Sequence, residues 1–322
     1  MKIKTMETIK KYKLTNETIK IDGITLYRIR AIKSFSNVKA GDFGGWVEKE
    51  ENLSQMGDAW VYSNAKVYGN AKVFGNAKVR KNANVFGNAQ VFDNAIVSDN
   101  ARVYGDARVC QGAWVYGHAI VEGNAEIFDN AEVFGDAVVY GNAMVSDNSM
   151  VFANAQVYGY AKIFGDAQVY GNAKVYNHAE VYGNAMVFGN AVISGNAKVT
   201  INAEICGHAW IDGNAEVYDN AKICGDAIIY GNAEVYENAE ICGDAVIRGN
   251  AKVCNKADYI IFKNFWSSGR FFTWTRSNNM WSVGCFYGTG EELIRKAYKD
   301  SETSGKEYER VVKYVNSILA NK

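Results

Sequence analysis

The sequence predicts an all-β solenoid, a parallel β-helix with triangular coils of 18 residues, and three observations carry that expectation. A small apolar residue returns every six positions from Ala59 to Ala257 without an inserted residue, Ser149 being the one hydroxyl in the series. Val or Ile stands two positions after each, from Val61 through Val253. Six is not a helical period, and a fixed short period marks a solenoid. Finally, the 322 residues contain no proline, where average usage of about 5% would place roughly sixteen. A parallel ladder needs every backbone N–H and cannot give one up to a proline ring.

The repeat divides the chain into an entry module (1–44), the repeat itself (45–257) and a C-terminal module (258–322). Within the entry module, Ile19-Lys20-Ile21, Asp22-Gly23 and Ile24-Thr25-Leu26 read as a β-hairpin, because Asp-Gly supplies the positive φ angles of a two-residue turn. Tyr27 to Ile32 extend its second strand. Gly41, Gly44 and Gly45 are expected to bend the chain into the first coil. Val47 and Leu53 fall on the position later held by Ala, so the register is expected to begin near Trp46 and run for about twelve coils. A solenoid end exposes strand edges and apolar core, so the module is expected to cap it.

Inside the repeat, alternation puts the small residue and the Val/Ile on one face of a strand, while the Gly-Asn pair turns a corner. Sorting the first corner position by 18 shows that one hexad is not a full turn. The class at 69, 87 and 105 onward is Gly at ten of eleven positions; the class at 63, 81 and 99 at seven; the class at 75, 93 and 111 at three. That last class holds Asp93, Asp129, Asp147, Asp219 and Glu237 instead. Three hexads therefore make one coil. At about 4.8 Å per coil the rod would be roughly 55 Å long. Asn fills 22 of the 34 second corner positions from Asp58 to Lys256, and stacked Asn side chains can hydrogen-bond along such an axis.

The pattern resembles the hexapeptide-repeat left-handed parallel β-helix; left-handedness is implied by the resemblance alone. More narrowly, Val38-Lys39-Ala40-Gly41-Asp42-Phe43-Gly44-Gly45-Trp46-Val47, Asn52-Leu53-Ser54 and Gly57-Asp58-Ala59-Trp60-Val61-Tyr62 look like the start of bacterial and phage YdcK-type proteins. Those carry the labels transferase and polymer-forming protein.

After the repeat, Tyr259–Trp266, Arg270–Arg276 and Met280–Tyr287 read as three strands joined at Ser268-Gly269 and Ser277-Asn278-Asn279. Two helices are expected next, since Thr289 with Glu292 and Ser304 with Glu307 have capping-box spacing. Tyr308, Val311, Val312, Val315 and Leu319 form one apolar stripe on the second.

Charge separates the parts. Residues 1–46 hold ten Lys/Arg against four Asp/Glu (+6) and residues 259–322 ten against six (+4), which leaves the repeat at 15 against 25 (−10). Met1–Lys13 lacks the apolar run of a secretory signal, and no stretch approaches a membrane span. The six cysteines fit reduced thiols and a cytoplasmic location better than a disulfide framework.

The resemblance implies two chemistries, acyl transfer with a His general base between subunits and zinc held by three His. This chain has three histidines, His118, His178 and His208, each at a second corner position. His118 and His208 share an edge five coils apart, about 24 Å, and His178 lies on another. Zinc ligands must sit within a few Å of one metal, which excludes a one-chain zinc site; a single His as general base stays open. Cys206, Cys224 and Cys242 recur at 18 and should stack on one face. Thiols in a row suggest a soft metal, against which stands the small apolar role of a free Cys. The acids at 93, 129, 147, 219 and 237 form a corner ladder that offers weak cation binding or plain solvation. No phosphate-cradling Gly motif or paired-carboxylate site stands out, and no cofactor is expected.

The outward aromatics distinguish the faces. The face of Trp60, Tyr62, Ile96, Trp114, Tyr116, Phe134, Met150, Phe152, Tyr170, Met186 and Phe188 is the most apolar, while that of Lys72, Arg108, Glu126, Lys162 and Glu180 is charged. A strip of that length exceeds what soluble monomers leave bare. Expected partners are a second or third copy of the chain or another protein. Trp266, Phe272, Trp274 and Trp281 in a basic module could stack on nucleic acid, but they read better as that module's core, and the acidic repeat argues against nucleic acid. The expected function is a non-enzymatic scaffold or binding protein. An acyltransferase with an inter-subunit site and a phage-type protein that captures a ligand or host protein are the alternatives.

Overall fold

The computed structural model describes residues 10–320; the first nine residues of the entry module and the last two of the C-terminal module lie outside them. The chain forms a β-solenoid of about twelve parallel coils of 18 residues, followed by a small sheet and two helices. It divides into two compact units at Tyr176/Asn177.

In the first unit every hexad contributes a two-residue strand, such as Lys78–Val79 and Ile96–Val97. The Ala before it and its Val or Ile point inward and are fully buried from Ala77 through Val175. Each buried Val or Ile contributes about 1.5–3 kcal/mol. Ser149 is buried too, and its hydroxyl donates to the Ser146 carbonyl at 2.6 Å. Strands pair in parallel with those 18 residues on: Lys78 with Ile96, Ile96 with Trp114, Trp114 with Glu132. Each backbone N–H donates forward to the next coil, as Trp60 does to Ala77 at 3.0 Å and Asn70 to Gly87 at 2.7 Å.

That direction leaves carbonyls unpaired at the first coil, and the entry module supplies donors. Strands β1 (Tyr12–Ile21) and β2 (Ile24–Ala31) form the expected hairpin, with Asp22 and Gly23 at φ 48° and 82°. Buried Lys11 donates from Nζ to the carbonyls of Ala59 (2.8 Å) and Gly57 (3.2 Å). Asn52 Nδ2 donates to Ala71 (2.9 Å) and Gly69 (3.1 Å). Tyr12 and Phe35 meet the Trp60 ring edge-on, at centroid distances of 6.0 and 5.4 Å.

Three expectations need correction here. Val47, in β3 (Phe43–Val47), pairs with Val67, and Leu53 with Val73, so both occupy the Val position rather than the Ala position. The offset is 67 − 47 = 20, and two extra residues lie between Leu53 and Gly57, which already stacks on Gly75. Gly44 and Gly45 do not bend the chain; they lie within β3, where a Cβ would meet Ile29, Trp60 or the Ala65 carbonyl at 2.5–2.7 Å.

In the second unit the same coils continue to Val253. Ala257, expected in register, is exposed on a 3₁₀ turn at Lys256–Asp258. The last coil leaves N–H groups unpaired, and here the chain supplies acceptors. Thr273 Oγ1 accepts from Val246 (2.9 Å), Ser277 Oγ from Lys252 (2.6 Å) and Asp258 Oδ2 from Cys254 (3.0 Å). The C-terminal sheet has four antiparallel strands, not three. The expected Met280–Tyr287 strand turns back at Gly284 (φ 54°) into Met280–Val283 and Phe286–Gly288. Helix α1 (Gly290–Asp300) carries the Thr289/Glu292 capping box. Helix α2 (Glu302–Ala320) starts earlier than expected: Ser301 Oγ accepts from the Ser304 N–H at 3.1 Å, so Ser304 lies inside the first turn. Its apolar stripe packs with Phe272, Trp274 and Trp281. Among the described residues no helix is long and apolar enough to cross a membrane.

Burial lowers the Lys11 pKa from 10.5 to about 8. Between those values the unfolded chain holds the extra proton, so stability rises with pH. Relative to Lys11→Met, the wild-type protein should gain stability as pH climbs from about 8 toward 10.5; a flat difference in denaturant melts would show that the ammonium is not buried. Glycine corners give a second expectation. At Gly105 (φ +71°) a Cβ would meet the Gly123 nitrogen at 2.8 Å, whereas at Gly243 (φ +73°) it meets nothing within 4 Å. Gly243→Ala should cost about 1–2 kcal/mol for the left-handed backbone alone, and Gly105→Ala measurably more in the same melt.

Candidate functional site

The apolar face lies in the first unit, and its outward positions on consecutive coils are Lys78, Ile96, Trp114, Glu132 and Met150. Trp114 is 48% exposed, and Ile96 and Met150 are half-buried. Beside them runs a column of stacked rings, Tyr116, Phe134, Phe152 and Tyr170, at centroid spacings of 4.8, 4.9 and 4.8 Å. The coil rise sets that spacing, so stacking comes without added strain in any side chain. Tyr116 Oη donates to Glu132 Oε2 at 2.9 Å, and burial first, then the Glu132 carboxylate, pushes its pKa up to about 12.

Several expected contact residues are not available. Trp60 is 1% exposed, covered by the entry module. Tyr62 donates to Asn37 Oδ1 at 2.8 Å, with Arg80 over its ring. Trp274 and Trp281 are buried in the C-terminal core, and the Trp274 indole N–H donates to Asn279 Oδ1 at 2.9 Å. Trp266 is half-buried, edge-on to Tyr308 at 5.1 Å. The C-terminal tryptophans thus make a core rather than a stacking platform. Basic end modules look like binding surfaces by charge alone, and only the packing separates the two uses.

All three histidines are exposed corner residues. His118 takes a place in the amide ladder, its Nε2 3.5 Å from Asn100 Nδ2. The ladder itself is as expected: Asn70 to Asn88 at 3.2 Å and Asn124 to Asn142 at 3.1 Å in the first unit, Asn196 to Asn214 at 3.0 Å in the second. The acidic corner positions also turn out to be structural. Asp129, Asp147 and Asp219 have φ near +57°, and their carboxylates accept N–H groups of the next coil, Asp147 from Gly165 at 2.8 Å and Asp219 from Glu237 at 3.1 Å. Among the described residues no group of three or more His, Cys, Asp or Glu is placed to hold a metal.

The cysteines overturn the expectation of six reduced thiols. Cys224 and Cys242 form a disulfide with Cα atoms 4.6 Å apart. Neighbouring coils hold equivalent Cα atoms at about the strand spacing, inside the range a disulfide spans. Cys206, one coil earlier, is free, and burial raises its pKa. The two bonded thiols are not open to a metal.

Two features escaped the sequence reading. Trp210, 43% exposed, sits on another face of the second unit beside Val192 and Ile228; their spacing of 18 was available as a signal. A cavity of about 290 Å³ in the C-terminal module, lined by Asn264, Arg270, Cys285, Lys296, Asp300 and Tyr308, had none, because sheet and helices meet there through packing.

Residues 89–103, 97–111, 101–117 and 179–195 match the family model of the YdcK β-solenoid repeat. The chain is also similar to the protein named "Uncharacterized acetyltransferase YdcK" of Escherichia coli (strain K12), 37% identical over 62 residues. That alignment spans 17% of this chain and 19% of the relative. The chain is a YdcK-like repeat β-helix protein.

Because His118 stands where an amide would continue the ladder, His118→Asn should shift the unfolding free energy by less than about 0.5 kcal/mol. A larger loss would show that the imidazole holds something the ladder does not.

Proposed function

For a chain built of YdcK-type solenoid repeats, we propose a non-enzymatic scaffold that pairs with a second copy of itself through the Trp114 face. The observation that carries this reading is the exposure of Trp114 and Ile96 on consecutive coils, with Lys78 on the coil before and Glu132 on the coil after. That order is self-complementary. A two-fold axis normal to the face, between the coils of Ile96 and Trp114, sets Ile96 opposite the partner's Trp114 and Lys78 opposite the partner's Glu132. Isologous contacts of this kind are the commonest in homo-oligomers. A flat β-face packs on another with little rearrangement.

A second reading, acyl transfer at an inter-subunit site, has one observation in its favour, the 62-residue match to a protein named as an acetyltransferase. The histidines of this chain stand exposed at corners, so a general base would need a neighbouring subunit to orient it.

Sedimentation equilibrium separates these outcomes. The wild-type protein should show twice the mass of the 35.5 kDa chain, and Trp114→Lys combined with Phe152→Lys should return it to the single-chain mass. A monomeric wild type overturns the scaffold reading, and a trimer overturns the two-fold arrangement. Acetyl transfer from acetyl-CoA that disappears with His118→Ala or His208→Ala would establish the enzyme instead.

A further inference from the structure

The column of Cys206, Cys224 and Cys242 is the part of the molecule that neither the scaffold nor the enzyme reading uses. All three occupy the position after the buried Ile on successive coils of one face of the second unit, following Ile205, Ile223 and Ile241. The backbone steps between them are alike: the Cys206 N–H donates to Ile223 at 2.9 Å and the Cys224 N–H to Ile241 at 2.8 Å. Cys224 and Cys242 are already joined, their Cα atoms 4.6 Å apart. Parallel register gives Cys206 the same relation to Cys224 that Cys224 has to Cys242. The free thiol stands next to the central sulfur of the column, on the side away from Cys242.

We propose that these cysteines form a thiol–disulfide exchange site in which one disulfide migrates between two neighbouring pairs. The Cys206 thiolate attacks Cys224 Sγ; the 206–224 bond forms as the 224–242 bond breaks. The electron pair leaves on Cys242 Sγ, which takes up from solvent the proton that Cys206 released. The step is redox-neutral and needs no outside oxidant. Exchange requires the attacking, central and leaving sulfurs to lie roughly in line, and a column along the coil axis provides that order: Cys206, Cys224, Cys242. Because the two pairings share one local geometry, they differ little in free energy, and the free thiol divides between the ends of the column. Each end is then a capture point for a small disulfide, which would form a mixed disulfide there and release its other half as a thiolate.

The test is a label map on the full chain. Oxidised wild-type protein is equilibrated without reductant at mildly alkaline pH, alkylated with iodoacetamide, digested without reduction and read by mass spectrometry. Label should appear on both Cys206 and Cys242, within about tenfold of each other, a ratio equivalent to about 1.4 kcal/mol. Label confined to Cys206 within the column overturns the proposal. Cys206→Ser removes the attacking thiol and keeps the bonded pair, so Cys242 should then stay unlabelled. Equal Cys242 labelling in that variant would report simple reduction and would equally overturn migration.

Discussion

The direction of the backbone hydrogen bonds is the constraint on which the rest of the structure depends. In a parallel coil stack every N–H looks forward and every carbonyl looks back. The first coil therefore ends in bare acceptors and the last in bare donors, and an unpaired buried group costs about 1–3 kcal/mol. The residues answer in kind. Lys11 and Asn52, both donors, meet carbonyls at the first coil. Thr273, Ser277 and Asp258, all acceptors, meet N–H groups at the last. The opposite chemistry of the two terminal modules follows from one geometric fact, before any question of partners arises.

The second consequence of the coil is that position 18 residues on is a neighbour. A property of one residue becomes a property of a column: amides bond to amides, rings stack on rings, and corner carboxylates hold the next N–H. Columns also decide which residues can act on surroundings. Trp60 and Trp114 are equivalent by position in the repeat, yet one lies under a cap and the other faces solvent. Function is set by what happens at the ends of columns.

This explains what was legible in the sequence. Ala/Val periodicity, the three-sided coil, the Asp22-Gly23 hairpin and the Thr289 cap rest on local pattern, and all are found. Readings that depended on where a pattern starts were less secure. Val47 and Leu53 match the Ala position by counting back, but the two residues inserted before Gly57 move them onto the Val position. Likewise Ser304 has the spacing of a cap, while Ser301, three residues earlier, makes the bond. The candidate surface was legible as a face and not as a patch, since covering of Trp60 by Tyr12 and Phe35 is a tertiary event. The Cys224–Cys242 bond was misread for another reason. The stacking of the cysteines was clear, but compartment-based reasoning about thiols outweighed the short distance that stacking implies.

The 20-residue opening coil has one more consequence. Beyond Gly57 each coil is interchangeable in backbone terms with the next, whereas the opening coil is irreversibly tied to its hairpin by two residues that have no counterpart later. The molecule thus has a unit of growth. Its length can change only in quanta of 18 residues, inserted or deleted anywhere within the uniform run, and any other change would rotate every column past its neighbour and dissolve all the ladders at once.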